Sequence, residues 1–143
     1  MRIAGNITAE AWQSLDLSNP EDEAQDWKQA AELFKTRIQK RFIEPANVLV
    51  EVDFSRARDA RESGRPEDVP TFGFAIMALD CLLIETLQGA IEGLVDHEGA
   101  STRLVADFLT QASSFRRYFN QRKLALNFYR EVRSNLVHAG ATS

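Results

Sequence analysis

The sequence predicts an all-α protein, arranged as an up-and-down bundle of four to five helices. In four segments apolar residues recur at spacings of three and four, the period of an amphipathic helix. Polar capping residues, prolines and glycines stand where these segments begin and end. The chain has 143 residues, 44% apolar and 27% charged, as expected of one folded domain. We therefore expect a single helical domain over residues 1–143, with residues 1–18 as an N-terminal extension.

The first helix is predicted to begin at Pro20 and to end before Pro45. Ser18 and Asn19 can cap it, and the acidic run EDE follows in its first turn, where the helix dipole favours negative charge. Its apolar residues are Trp27, Ala31, Phe34, Ile38 and Phe42. Residues 45–70 are polar and mixed, so we expect a long mobile loop there, with ANVLVEV as a short strand or an extended strap.

The second helix is predicted to run from about Phe74 to Val95 and to be closed by DHEG. Because apolar residues occupy most of its circumference, we expect it to be the central and most buried element. Asp80 and Glu85 interrupt its apolar run before the roughly 18 residues that a membrane span needs, which favours a core helix. A carboxylate flanked as Glu85 is, in LLIETL, predicts a cationic partner, naturally an arginine on a neighbouring helix.

The third helix opens at Ser101 and is expected to weaken at the serine pair 113 and 114. Its predicted inward residues are Leu104, Phe108, Leu109, Ala112 and Phe115. The fourth helix runs from about Arg122 to Ala139 and is ended by Gly140. Its apolar stripe repeats every four residues, at Leu124, Phe128, Val132 and Leu136.

Several kinds of functional site are disfavoured by the sequence. It has no glycine-rich phosphate loop, which excludes nucleotide hydrolases built on that loop. His97 lies in DHEG without other residues at ligand spacing, so we expect an exposed turn and no metal site. The lone Cys81 has apolar neighbours, which predicts a packed thiol and suits a reducing compartment. With no signal-peptide stretch in MRIAGNITAE, we expect a cytoplasmic protein. We also expect no cofactor.

Charge is distributed unevenly along the chain. The net charge of −4 argues against coating nucleic acid by bulk electrostatics. From residue 111 onward, however, Glu131 is the only acid among six basic residues, with aromatic residues between them. Such a segment can hold a phosphate backbone locally, although a solvated helix face has the same composition. The residues we predict to contact RNA there are Arg122, Lys123, Tyr129 and Arg130.

Arg133 and His138 form the strongest candidate for chemistry. Metal-independent cleavage of RNA needs a base for the 2′-hydroxyl, an acid for the leaving oxygen and a cation at the phosphate. Histidine suits both proton roles near neutral pH, and the planar fork of arginine suits the phosphate. Each chain supplies one well-placed imidazole, so two chains related by a two-fold axis would supply the pair. We therefore expect this site at a homodimer interface.

The segment FYREVRSNLVHAG, with an arginine, four residues and a histidine at the end of the last long helix, resembles the signature of the HEPN superfamily of small helical proteins. The segments FGFAIMALDCLLIETLQGAIEGL, LVADFL and RIQKRFIEP also resemble the body of prokaryotic HEPN domains in order and spacing. Together the similarity covers roughly residues 24 to 140. It implies a HEPN-like bundle that acts as a homodimer.

The resemblance implies a metal-independent endoribonuclease of the toxin or antiviral-defence kind, with RNA as substrate and an antitoxin or regulatory domain as a further partner. By analogy Arg133 would bind the scissile phosphate, and His138 would be the acid and base. Ser134 or Asn135 would assist, and Glu85 would orient the arginine. One subfamily carries a modifiable tyrosine two residues after the histidine, where this chain has Gly140.

Two alternatives from other classes stay open at the level of sequence. One is a non-catalytic HEPN-like module that dimerises or binds a partner or RNA. The other is a ligand-binding regulatory domain. In either case Arg133 and His138 would be a surface pair on a terminal turn, where a histidine stabilises the negative end of the helix.

Overall fold

The computed structural model of the chain describes residues 2–4, 7–18, 25–66, 71–96 and 98–139, and for residues 2–4, 7 and 134–139 it describes the backbone alone. Most of the described residues are helical, which confirms the predicted helical class. Five helices in the described ranges exceed ten residues. The chain divides into two compact units, Met1–Val52 and Asp53–Ser143, which are described separately.

The first unit begins with a short hairpin that the sequence did not predict. Strand β1 (Arg2–Ala4) pairs antiparallel with β2 (Ile7–Thr8), and β1 also contacts helix α2 (Gln25–Ile38). Helix α1 (Ala9–Gln13) follows, capped by the Thr8 hydroxyl, which accepts a hydrogen bond from the backbone N–H of Ala11 at 3.2 Å. Residues 7–18, expected as part of an extension, therefore carry local structure. The predicted helix start at residue 20 lies outside the described residues.

The helical backbone continues through Pro45, contrary to prediction. After α2 comes one π-helical turn, Gln39–Ile43, and then helix α3, Glu44–Glu62. The backbone N–H of Glu44 reaches back five residues to the carbonyl of Gln39, the wide turn of a π-helix. Pro45 has no N–H to donate to the preceding turn, and the π-helical turn directly before it is where the helix accommodates that missing bond.

The prediction of a mobile loop over residues 45–70 is therefore wrong for residues 45–62. The segment ANVLVEV is helical, neither strand nor strap. Its valines cost only a few tenths of a kcal/mol each in a helix, and a helix that extends an existing turn needs no new nucleus. Residues 67–70 of the predicted loop lie outside the described part of the chain.

The second unit contains helices α4 (Gly73–Ile91), α5 (Ser101–Gln111), α6 (Ser113–Arg116) and α7 (Arg122–Ala139). Helix α5 packs against both α4 and α7, so it occupies the centre of this unit. Three successive residues of α5, Leu104, Val105 and Ala106, have no exposed surface. The core cluster consists of Cys81, Val105, Ala106, Leu109, Ala125 and Tyr129.

The prediction that α4 is the most buried element is wrong. Its buried residues are Cys81, Gln88 and Gly89, while Phe74 and Leu82 are more than half exposed. Within the described residues α4 is also the helix that is long and apolar enough to cross a membrane, with a mean hydropathy of 1.6 and 17% of that stretch buried. A core helix passes the same test of length and composition. The apolar sequence of α4 therefore predicted a hydrophobic helix correctly, but it did not predict what fraction of that helix is buried by the rest of the chain.

Helix α4 ends earlier than DHEG indicated. Gly93 adopts a positive φ of 68°, and the backbone N–H of Leu94 donates to the carbonyl of Gly89 at 2.9 Å. This is the usual left-handed helix end, and glycine adopts it without a steric penalty. The predicted end near Val95 overlooked Gly93.

The boundaries of the last helices agree with the sequence. Ala112 has extended dihedral angles, φ −65° and ψ 126°, and separates α5 from α6 next to the serine pair. Helix α7 has the predicted bounds, but its inward face is shifted by one residue. Ala125 and Tyr129 are buried, Phe128 and Val132 pack beside them, and Leu124 is 45% exposed. The side chain of residue 136 and the predicted stop at residue 140 lie outside what the structure describes.

Candidate functional site

Arg133 and position 138 lie on one uninterrupted helix. The backbone of α7 is helical through Ala139, so five residues separate the two positions by about 7.5 Å along the axis and by a turn of about 140°. The guanidinium of Arg133 is exposed, and it makes no hydrogen bond or ion pair with another described residue. The side chains of Ser134, Asn135 and His138 lie outside the described atoms. Arg133 is therefore free to meet a ligand as far as the described contacts extend.

Two further cations point into the arc between these positions. On an ideal helix Arg130 and Lys123 lie about 60° and 80° from Arg133, in the direction of position 138. Both side chains are exposed, and neither forms an ion pair within the described ranges. One side of α7 thus presents three cations to solvent, the distribution that a polyanion requires.

Arg122, predicted to bind RNA, is already paired inside the unit. Its guanidinium contacts the carboxylate of Asp107 on α5, which is buried. The same carboxylate pairs with Arg103 at 3.3 Å, and Arg103 also contacts Glu92 at 2.8 Å. These contacts join α4, α5 and the start of α7. Arg122 therefore has a structural partner in Asp107, and its contact with RNA stays a prediction.

Sequence reasoning missed this network, and one signal in the sequence pointed to it. Asp107 interrupts the apolar run LVADFL on the inward side of α5, as a buried acid with a partner does. Gln88 of α4 is buried as well, and its side-chain amide donates a hydrogen bond to Glu92 at 3.0 Å. The hydrogen bonds from Gln88 and Arg103 lower the pKa of Glu92.

Tyr129, also predicted to contact RNA, belongs to the core. It is 8% exposed, so its ring is not presented for stacking on a base. Burial raises the pKa of its hydroxyl, and the negative charge of Glu85 raises it further, while the charge of Arg133 lowers it. Glu85 and Arg133 therefore act on one phenol from different helices.

Glu85 has a hydroxyl partner, and no described arginine forms the predicted ion pair with it. Its Oε1 accepts a hydrogen bond from Oγ of Ser101 at 2.7 Å, and Ser101 also lowers the pKa of Tyr129 by hydrogen bonding. Ser101 is the first residue of α5, so one half-buried polar cluster joins α4, α5 and α7. Arg133 is one helical turn from Tyr129, at the edge of this cluster.

The substitution Glu85→Gln is expected to lower the pKa of Tyr129. Removing a nearby negative charge makes the phenolate less unfavourable, so the hydroxyl should ionise at lower pH than in the parent. The titration is followed by phenolate absorbance in a Tyr118→Phe background, which leaves one tyrosine. Glu131→Gln, an exposed acid on α7, is the matched control and should leave the curve unchanged. An unaltered Tyr129 titration in Glu85→Gln would show that the cluster is not formed.

Cys81 is a packed thiol, as predicted. It is buried in the core, and its burial, together with the charges of Asp80 and Glu85, raises its pKa. A raised pKa lowers the thiolate fraction, which disfavours nucleophilic chemistry. His97 lies outside the described residues. Elsewhere in the described ranges no group of three histidine, cysteine or acidic residues is placed to hold a metal ion.

The arrangement as a whole is an exposed cationic side of α7 beside a half-buried polar cluster, a combination suited to binding an anionic backbone. Comparisons with protein-family models, with curated proteins and with solved structures find no match to this chain.

Proposed function

We propose that the protein is a metal-independent endoribonuclease of HEPN type, acting as a homodimer with Arg133 and His138 in its active site. The observation that supports this most directly is the state of Arg133. Arg103 and Arg122 are held by Asp107, whereas the exposed Arg133 has no ion-pair partner among the described residues. An exposed, unpaired arginine beside a half-buried polar cluster is suited to a phosphate ligand.

The proposed reaction is an internal transesterification. The 2′-oxygen of the RNA attacks the adjacent phosphorus, and the bond from phosphorus to the 5′-oxygen breaks. One imidazole takes the proton of the 2′-hydroxyl, and a second imidazole gives a proton to the departing 5′-oxygen. Arg133 balances the charge on the pentacoordinate phosphorane. The products are a 2′,3′-cyclic phosphate and a 5′-hydroxyl end, with no metal ion and no net proton change.

The two imidazoles come from His138 of each subunit in this proposal. In a C2 dimer a residue close to the two-fold axis lies near its own copy, so a cleft at that axis receives two arginines and two histidines. Phe74 and Leu82, two exposed apolar side chains of α4 that lie about 80° apart on an ideal helix, favour association, because apolar surface is costly to leave in water.

The proposal is tested with purified protein and mixed RNA in the presence of EDTA. We expect cleavage that EDTA leaves intact, with products that carry a 2′,3′-cyclic phosphate and a 5′-hydroxyl. Single-stranded DNA of mixed sequence is the matched control, because it lacks the attacking 2′-hydroxyl and should stay uncut. Cleavage of the DNA, or dependence on a divalent ion, would contradict the mechanism.

The second candidate is a non-catalytic module that dimerises or binds a partner. Phe74 and Leu82 of α4 favour it as well, because covering them is favourable whether or not the cleft is active. Sedimentation and the RNA assay separate the two functions. A stable dimer that leaves RNA intact supports the module, and a cutting dimer supports the enzyme.

A further inference from the structure

The second unit contains a cavity of about 390 Å³ bordered by α4, α5, α6, α7 and the segment between α6 and α7. Its volume lies at the lower end of the roughly 300 to 1,000 Å³ that is typical of small-molecule sites. Six of the eleven lining residues belong to α4, and all of these except Asp80 are apolar. The cavity does not include Arg133, Glu85 or Tyr129, so it is separate from the candidate nuclease site.

Four phenylalanine rings border this cavity. Phe108 and Phe115 lie with their ring centroids 6.1 Å apart and tilted by 51°, and Phe119 and Phe128 lie 5.3 Å apart and tilted by 59°. Tilted rings expose π faces in more than one direction, and such faces attract cations. Phe115 is 38% exposed, which places part of this aromatic wall at the surface.

Asp80 is the one charged residue among the described residues that line the cavity. It has no hydrogen-bond or ion-pair partner in the described part of the chain, unlike the paired acids Glu92 and Asp107. Although the residue as a whole is exposed, burial of its carboxyl group raises the pKa of Asp80. An unpaired carboxylate at an apolar cavity is stabilised by an incoming positive charge.

We propose that this cavity binds a small organic cation with an apolar or aromatic body, such as a quaternary ammonium compound. The phenylalanine rings would surround the apolar body and the methyl groups of the ammonium, and Asp80 would supply the countercharge. The chemistry selects against the other ligand classes. An apolar acid would place its carboxylate against Asp80 with no lining cation to balance it, and a neutral hydrocarbon would gain no attraction from the charge of Asp80.

Three probes of matched shape test the charge selectivity. Phenyltrimethylammonium carries the positive charge, tert-butylbenzene is its neutral isostere, and benzenesulfonate is the anion. Binding to the full-length, isotope-labelled protein is followed by amide chemical shifts, which also locate the site. We expect the cation to bind more tightly than the neutral isostere by at least about threefold, with shifts at cavity-lining residues, and the anion to bind most weakly.

Asp80→Asn keeps the shape of the side chain and removes its charge. We expect it to weaken binding of the cation roughly three- to tenfold and to leave binding of tert-butylbenzene unchanged within about twofold. Asp59→Asn, an exposed acid on α3 that does not line the cavity, is the control and should change neither affinity. Phe115→Ala should weaken both ligands, because it removes one aromatic wall.

Equal affinity for the cation and the neutral isostere, or an unchanged affinity for the cation in Asp80→Asn, would overturn the proposal and leave a non-selective apolar cavity. Absence of binding by every probe would overturn it too, and so would shifts confined to residues outside the lining. Because none of these readouts involves RNA, the result is independent of the nuclease proposal.

Discussion

The substitution His138→Ala is expected to lower the rate of RNA cleavage by about 10²- to 10⁴-fold, the usual contribution of a general acid or base. In the proposed dimer one substitution removes both imidazoles from the cleft, so the effect should lie at the upper end of that range. His97→Ala is the matched control, because it removes the other histidine of the chain. Initial rates on a defined RNA, measured with EDTA present, give the comparison.

Arg133→Ala should reduce the rate by about 10²- to 10³-fold through loss of charge stabilisation at the phosphorus. Arg58→Ala, an exposed arginine on α3, removes the same charge elsewhere and should have little effect.

The parent rate should also follow a bell-shaped dependence on pH, since one imidazole must be neutral and the other protonated. Full activity of His138→Ala or of Arg133→Ala would exclude the proposed cleft and would place the cleavage site elsewhere.

Leu104→Ala is expected to lower the free energy of unfolding by about 2–5 kcal/mol. Leu104 has no exposed surface, and it lies on α5, which packs against both α4 and α7. Its truncation removes apolar contacts and leaves a void in a region with little freedom to collapse. The loss is measured from urea unfolding followed by circular dichroism.

Leu124→Ala provides the matched control for that measurement. Leu124 is 45% exposed on α7, so the same chemical change should cost less than about 1 kcal/mol. The comparison tests which helix face is buried, because the four-residue stripe in the sequence assigned Leu124 to the inside. Equal losses in the two variants would mean that α5 is not the centre of the unit.

The local features of the chain were readable from sequence because local chemistry determines them. The bounds of α7 and the break at Ala112 follow from helix periodicity and from residues that end helices. The same reasoning failed at Pro45, where a π-helical turn allows the helix to continue. It also failed at Gly93, whose left-handed conformation ends α4 before the more conspicuous DHEG. A proline or a glycine determines which backbone conformations are allowed at its position. The conformation that is adopted depends on the neighbouring turns.

In the candidate site, too, the local features were predictable from sequence and the contacts between helices were not. Sequence alone placed Arg133 and His138 on one terminal helix, because their spacing and the helical pattern are both local properties. Only the tertiary structure decided which arginines are free. Arg122 and Arg133 look alike in the sequence, yet Asp107 approaches Arg122 from α5, and no described acid pairs with Arg133. Likewise, the described hydrogen-bond partner of Glu85 is the Ser101 hydroxyl, where the sequence predicted an arginine.

What the sequence determined by itself is the helical class, most helix ends in the second unit and the order of the candidate residues along α7. The tertiary structure decided that α5 and not α4 is the central helix, that Tyr129 is buried, and that four phenylalanines and Asp80 share a cavity. The physical reason is that periodicity reports the direction of a side chain on its own helix. Burial and charge pairing depend on what another helix brings to that side, and no single helix carries that information.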